Sequence, residues 1–237
     1  MSAMPARRPA RFLDHISVNR HMNTDIVNGF VGRRLRANRL SQCTLGVTEA
    51  ASGIDHTLVF HISGGRATRV QGGKVTGRST KLRTATLIPA FSDASWDMPE
   101  NVEVLHLYLD DHDLRRFGAQ EYDIDPDKLE MRDLMCVDDR FMRNLAPVIL
   151  DELQSELPKS RLLLDGFDAV VAGHMLRAFS NMADVVLLRD ERDTSQSDLQ
   201  AVTQARDYLL DNLSTNMGLE ALAAQVGLSP FRLMRKF

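Results

Sequence analysis

The sequence predicts an α+β chain in three parts: a β-rich barrel or sandwich, a helical segment, and a small all-α unit at the carboxy-terminal end. Between residues 40 and 109, short β-prone runs alternate with glycine at Gly53, Gly64-Gly65, Gly72-Gly73 and Gly77, the texture of many short strands. After Asp110 the apolar residues recur at helical spacing. Residues 198–237 end in two short amphipathic stretches joined by Gly227-Leu228-Ser229-Pro230.

The chain has 237 residues, 43% of them hydrophobic, enough for a buried core in one or two domains. A net charge of −3 excludes a globally basic nucleic-acid binder, so any such attraction must be local. Cys43 and Cys136 are far apart, with no CxxC or Cys/His cluster; unpaired thiols in a reducing cytosol are the simplest expectation. No run approaches the ~18 apolar residues of a membrane span, so no membrane partner is expected and the location is expected to be cytoplasmic.

Residues 1–39 are expected to be an amino-terminal arm and an unassigned segment. The first twelve are basic and contain Pro5 and Pro9. Arg7-Arg8 is not followed by the apolar region of an export signal, so a disordered arm is expected. Arg33, Arg34, Arg36 and Arg39 form a basic cluster that could touch phosphate; a solvated loop or helix face is the expectation.

Residues 40–120 are expected to form an effector-sensing domain. Its candidate strands are 42–48, 57–63, 67–71, 83–89 and 102–109. A small barrel can hold a ligand in its mouth, and His56, Trp96 and His106 are the candidate ligand-binding residues. Trp96, between Asp93 and Asp97, would floor a pocket or pack in the core or rim. His56 and His61 are five apart and so face opposite sides of a strand. No metal site and no cofactor are expected. No nucleophile–base pair, phosphate loop or paired carboxylates support catalysis, so an enzyme is not expected.

Residues 121–189 read as a helical bridging segment. Asp138 or Asp139 caps one helix, with Phe141, Leu145, Ile149, Leu153 and Leu157 along one face; Pro147 should kink or delay it and Pro158 end it. Ser160 caps the next, whose stripe is Leu163, Phe167, Val170, Val171, His174, Met175, Ala178 and Met182. His174 is expected to be a hydrogen-bonded core or interface residue. Residues 190–197 are polar and read as a linker.

Residues 198–237 begin with a helix carrying Leu199, Val202, Ala205, Leu209 and Leu213. Leu219, Leu222, Ala223 and Val226 then make one apolar face of a short helix. Gly227 can take positive φ at its end, and Ser229-Pro230 suits the start of the next. This is a helix-turn-helix, which lays its second helix in the DNA major groove. With Leu233 and Phe237 inward, Phe231, Arg232 and Arg235 point out, with Met234 and Lys236 at the margins. These five are the candidate DNA-binding residues, since arginine pairs with guanine edges and apolar groups pack on thymine methyls.

The run Leu219-Glu220-Ala221-Leu222-Ala223, then Val226-Gly227-Leu228-Ser229-Pro230, Arg232-Leu233 and Phe237, resembles the first helix-turn-helix of AraC/XylS-type transcription regulators. His56 to Gly65, Leu87-Ile88-Pro89-Ala90 and Leu105 to Leu109 are similar to the cupin-like sensor half of that family, in the expected order. The resemblance implies base contacts from Phe231, Met234 and Arg235, a small-molecule effector of unknown identity in the β domain, and a homodimer through helices within residues 139–182. The family's DNA-binding domain holds two helix-turn-helix units, whereas the sequence stops after the first, so it is expected to be a fragment or a truncated regulator. The close His-x-His pair of metal-binding cupins is missing. A cupin-type metal-dependent enzyme and an effector-binding or dimerising module without DNA binding stand as the alternatives.

Overall fold

Alternation along the strands sets the architecture. In the computed structural model, residues 22–44, 46–50, 53–79, 81–184, 195–212 and 217–236 are described, with backbone only at 22–24, 48–50, 94, 195–199, 232, 235 and 236. The expectations for the arm at 1–12, for linker residues 190–194, and for Leu213 and Phe237 lie outside the described residues.

Two antiparallel sheets form a sandwich. The larger runs β1 (Met22–Val31), β2 (Leu35–Thr44), β9 (Val102–Asp110), β4 (Asp55–Gly64), β7 (Ala85–Ile88) and β10 (Leu134–Val137), in that spatial order. The smaller runs β3 (Thr48–Ala50), β8 (Ala94–Asp97), β5 (Ala67–Gln71) and β6 (Lys74–Ser79). Gly72 and Gly73, with φ of 54° and 75°, turn β5 into β6, the conformation that a two-residue hairpin of the right twist requires.

Side chains along a strand alternate between faces, so β9 serves two cores. Leu105, Leu107 and Leu109 join Leu58, Phe60 and Leu87 under the helices. Tyr108 and Val102 pack between the sheets with Trp96, Met98 and Ile88. Helices α1 (Asp111–Tyr122), α2 (Arg140–Gln154) and α3 (Arg161–Phe179) cover the first core. Asp110, Asp139 and Ser160 cap them, accepting from the backbone N–H of Asp113, Met142 and Leu163. Each cap satisfies one donor that a helix start leaves orphaned. Pro147 lies within α2.

Several expectations are corrected here. The sandwich begins at Met22 rather than at residue 40, because β1 and β2 form a hairpin on the sheet edge. Arg36 and Arg39 lie on β2 and pair with Asp55 and, at 3.2 Å, Glu103. Arg34 is on the β1–β2 turn but meets buried Asp168 at 3.7 Å, and only Arg33 of the cluster is exposed there as expected. The buried stripe of α2 is Met142, Ala146, Ile149 and Leu153, so Phe141 is exposed. Leu157 lies beyond the Ser155 cap and is exposed too. On α3, Leu163 and Val170 are exposed while Asp168 is buried, because its carboxylate has partners on the β1–β2 turn.

Three carboxy-terminal helices make a third cluster: α4 (Ser195–Asp211), α5 (Leu219–Gln225) and α6 (Pro230–Lys236). Ala205, Leu222, Ala223 and Leu233 are its buried members, with Tyr208, Leu209, Met217, Val226 and Leu228 around them. The helix α4 starts at Ser195, inside the expected linker. Leu219, expected inward, is exposed on the first turn of α5.

Candidate functional site

The space between the sheets carries buried polar groups. His106 on β9 is 4% exposed, and its Nδ1 lies 2.8 Å from the Tyr108 hydroxyl. Complete burial lowers its pKa to about 3, so the imidazole is neutral near pH 7. Burial likewise drives the Tyr108 hydroxyl up, against the opposing pull of Arg36, whose guanidinium sits 5.1 Å from the ring centroid. Arg36 is paired with Asp55. These residues make a satisfied polar layer that can position a ligand but holds no nucleophile.

Beside them lies a cavity of about 30 Å³ walled by Val59, His61, Ser79, Thr86, Trp96 and Met135. That is room for about one water molecule. His61 Nε2 is 3.2 Å from the Ser63 carbonyl, which can only accept, so Nε2 carries the proton and Nδ1 accepts from the Ser79 hydroxyl at 2.5 Å. Burial lowers the His61 pKa, partly countered by that carbonyl. Trp96 lies under Arg69, 6.0 Å from ring centroid to guanidinium. Arg69 in turn grips Asp133, with Nη2 donating to Oδ2 at 2.8 Å.

Of the three candidate ligand residues, the structure brings Trp96 and His106 to the space between the sheets and places His56 elsewhere. His56 sits on the other side of β4. Its Nδ1 accepts from the Ala90 N–H at 2.9 Å, so Nε2–H donates to Asp111 at 2.9 Å. Burial would raise the Asp111 pKa, but the bonds from His56 and Arg115 overcome it and hold the carboxylate at about 2. His56 therefore fastens the start of α1 to the sheet. His61, not among the candidates, is the strand's inward histidine. Alternation separates His56 from His61, but only the packing of Leu58 and Phe60 under the helices shows that Thr57, Val59 and His61 face the other way.

His174 on α3 donates its Nε2–H to Asp139 Oδ2 at 3.0 Å and stacks on Phe141, with ring centroids 4.2 Å apart. It lines an open groove of about 580 Å³ with Tyr122, Val170, Gly173 and Arg177. Among the described residues, no three His, Cys, Asp or Glu side chains group to hold a metal ion.

At the carboxy-terminal pair, Gly227 has φ of 69°, and the Leu228 N–H returns to the Ala223 carbonyl at 3.0 Å. This closes α5 in the left-handed manner that glycine favours. Leu233 is 1% exposed and Met234 63% exposed. Phe231 is half-buried. The backbone places Arg232, Arg235 and Lys236 on α6 with them.

No protein-family model matches the chain, and no curated protein matches it. Among solved structures it is similar to the EutQ protein of Clostridium difficile, with 10% identity over 44% of this chain and 76% of that one, at a TM-score of 0.32. It is similar also to the Cupin_2 domain of an XRE family transcriptional regulator from Enterobacter cloacae: 10% identity, 38% of this chain, 97% of that one, TM-score 0.30. A Cupin 2 conserved barrel domain protein from Salinispora arenicola gives 16% identity over 51% and 98% of the two chains, TM-score 0.32. Scores this low add nothing to the strand order and register, on which the two-sheet sandwich rests. Among the described residues, no helix is long and apolar enough to cross a membrane.

Proposed function

We infer that the chain is a DNA-binding transcription regulator of the AraC/XylS type and not an enzyme. A small effector between the sheets changes how the helices present the carboxy-terminal pair to double-stranded DNA. The observation that supports this most is the packing of α6: Leu233 is buried against Ala223 while Met234 stands out. At ~100° per residue, position 235 falls on the side of the helix opposite Leu233 and position 232 at its margin, where the sequence puts arginines. A basic outer face on the second of two tightly joined helices suits the major groove. Leu162, Leu163 and Val170, three exposed apolar side chains on α3, support a homodimer through the helical segment. Free thiols at Cys43 and Cys136 fit a reducing, cytoplasmic setting.

The effector would act by binding two arrangements of the helices with different affinity. A mobility-shift titration with promoter DNA at several salt concentrations tests the reading. Arg235→Ala is expected to weaken specific binding by ~1–3 kcal/mol. Unchanged affinity and unchanged sequence preference would remove α6 as the reader.

A further inference from the structure

The strand β10 enters the sandwich in an unusual way. It comes from the helical segment, pairs with β7 only at Leu134↔Leu87 and Val137↔Ala85, and has an irregularity between them. Cys136 there has φ of 54°, a left-handed conformation that a non-glycine residue holds only against strain. Alternation sends Leu134 to the core under the helices and Met135 to the core between the sheets. Met135 helps wall the small cavity, and its sulfur presses on Gly77, where any Cβ would collide with it. Two residues earlier, on the same side, Asp133 takes both arms of Arg69.

Arg69 is the telling partner. Its side chain is 5% exposed, whereas that of Asp133 is 40% exposed. Its Nε is buried without a hydrogen-bond partner among the described residues. Asp133 can return to water at little cost, but a buried guanidinium left beside Trp96 needs another anion. Its planar fork matches a carboxylate. The segment from Asp133 to Met135 thus lays a carboxylate on Arg69 and an apolar chain beside Trp96, His61 and Thr86. In extended backbone those two residues are about 6–7 Å apart.

We propose that this segment is a built-in stand-in for the effector, and that the ligand is a small unbranched monocarboxylic acid that replaces Asp133 on Arg69 and Met135 in the cavity. The acid's carboxylate pairs with Arg69 and its alkyl chain lies along Trp96. Displacement of β10 is felt at once by the helices, because Asp139, two residues past the strand, caps α2 and binds His174 of α3. The proposal rests on the effector-binding reading above, and names the class of molecule and the part that moves.

Trp96 is the only tryptophan, so its fluorescence reports the site directly. The full chain would be titrated without DNA with the sodium salts from butanoate to octanoate, with hexanamide, and with inorganic phosphate. At least one acid should give a saturable change in emission, and hexanamide and phosphate should bind at least tenfold more weakly. Asp133→Asn and Met135→Ala remove the competing groups and should each tighten acid binding about tenfold, with circular dichroism verifying that both fold. Equal binding of hexanamide, a matching response to phosphate, or no gain in affinity in either variant overturns the proposal. So does the lack of any saturable response in the variant that combines Asp133→Asn with Met135→Ala. Because no DNA is present, failure of the mobility shift and failure of this titration are separate results.

Discussion

Removing the Asp168 carboxylate should loosen the attachment of α3 to the sheet more than any surface change of similar size. Its Oδ1 accepts from the Leu35 N–H at 2.5 Å and its Oδ2 from the Arg34 N–H at 2.8 Å, with Arg34 Nε 3.7 Å away. Leu35 is 0% exposed, so its N–H has no access to water once the acceptor is gone. An unsatisfied buried donor costs ~1–3 kcal/mol, and a hydrogen bond to a charged group contributes ~1.5–3 kcal/mol. The Arg34 N–H is only half-buried and contributes at the low end. Against this, burial raises the Asp168 pKa even though the two N–H groups and Arg34 pull it down, so deleting the carboxylate returns part of its desolvation cost. The balance for Asp168→Ala is a loss of about 3 kcal/mol. Asp168→Asn keeps one acceptor and should lose about 2 kcal/mol. Urea unfolding followed by Trp96 fluorescence measures both, with an unchanged slope required for the comparison. Because the native pKa lies above the unfolded one, the wild type should lose stability relative to Asp168→Asn as pH rises through that raised value. A loss below about 1 kcal/mol for the alanine variant, or an asparagine variant as damaging as alanine, would refute the clamp.

The remaining predictions concern other parts of the chain. The native state holds His106 neutral down to about pH 3, whereas the unfolded chain protonates it near 6.5; stability should therefore fall as pH is lowered from about 7 to 4, by about 3 kcal/mol. His106→Gln should flatten that slope in urea titrations at the two pH values, and an unaltered slope would assign it to other groups. Ala223 is fully buried where α5 meets its neighbours, so Ala223→Leu should overpack the contact by ~1–3 kcal/mol. It should also abolish the DNA complex, read as lost helicity on heating and a lost mobility shift. A variant with the wild-type melting profile and DNA affinity would show that the two helices are not in tight contact.

Much of the chain was legible from neighbours in sequence. Asp139, Ser160 and Gly227 sit where short-range capping and turn chemistry put them. Leu105, Leu107 and Leu109 announce a strand buried on one face. Other elements had no such signal. The edge strand β1 is rich in Asn23, Thr24, Asp25 and Asn28, and becomes a strand by pairing with β2. The four residues of β10 are too few to show a period, and only β7, far back in the chain, makes them a strand. His56 was preferred to His61 because no pocket orders residues until strands are registered.

Local periodicity and capping were enough to place the helices, the strands β4, β5, β7 and β9 and the tight carboxy-terminal turn, because those depend on groups a few residues apart. The expected strand 42–48 instead joins the end of β2 to β3 through a bend, and β1, β6, β8 and β10 were missed. Which charges lie inside was a different matter. Asp168 finds its donors 133 and 134 positions away, and Arg69 finds Asp133 at a separation of 64. A lone aspartate in an apolar stripe and an arginine in a strand read as solvated until folding brings their partners. The cost of burying a charge is settled by what surrounds it in space.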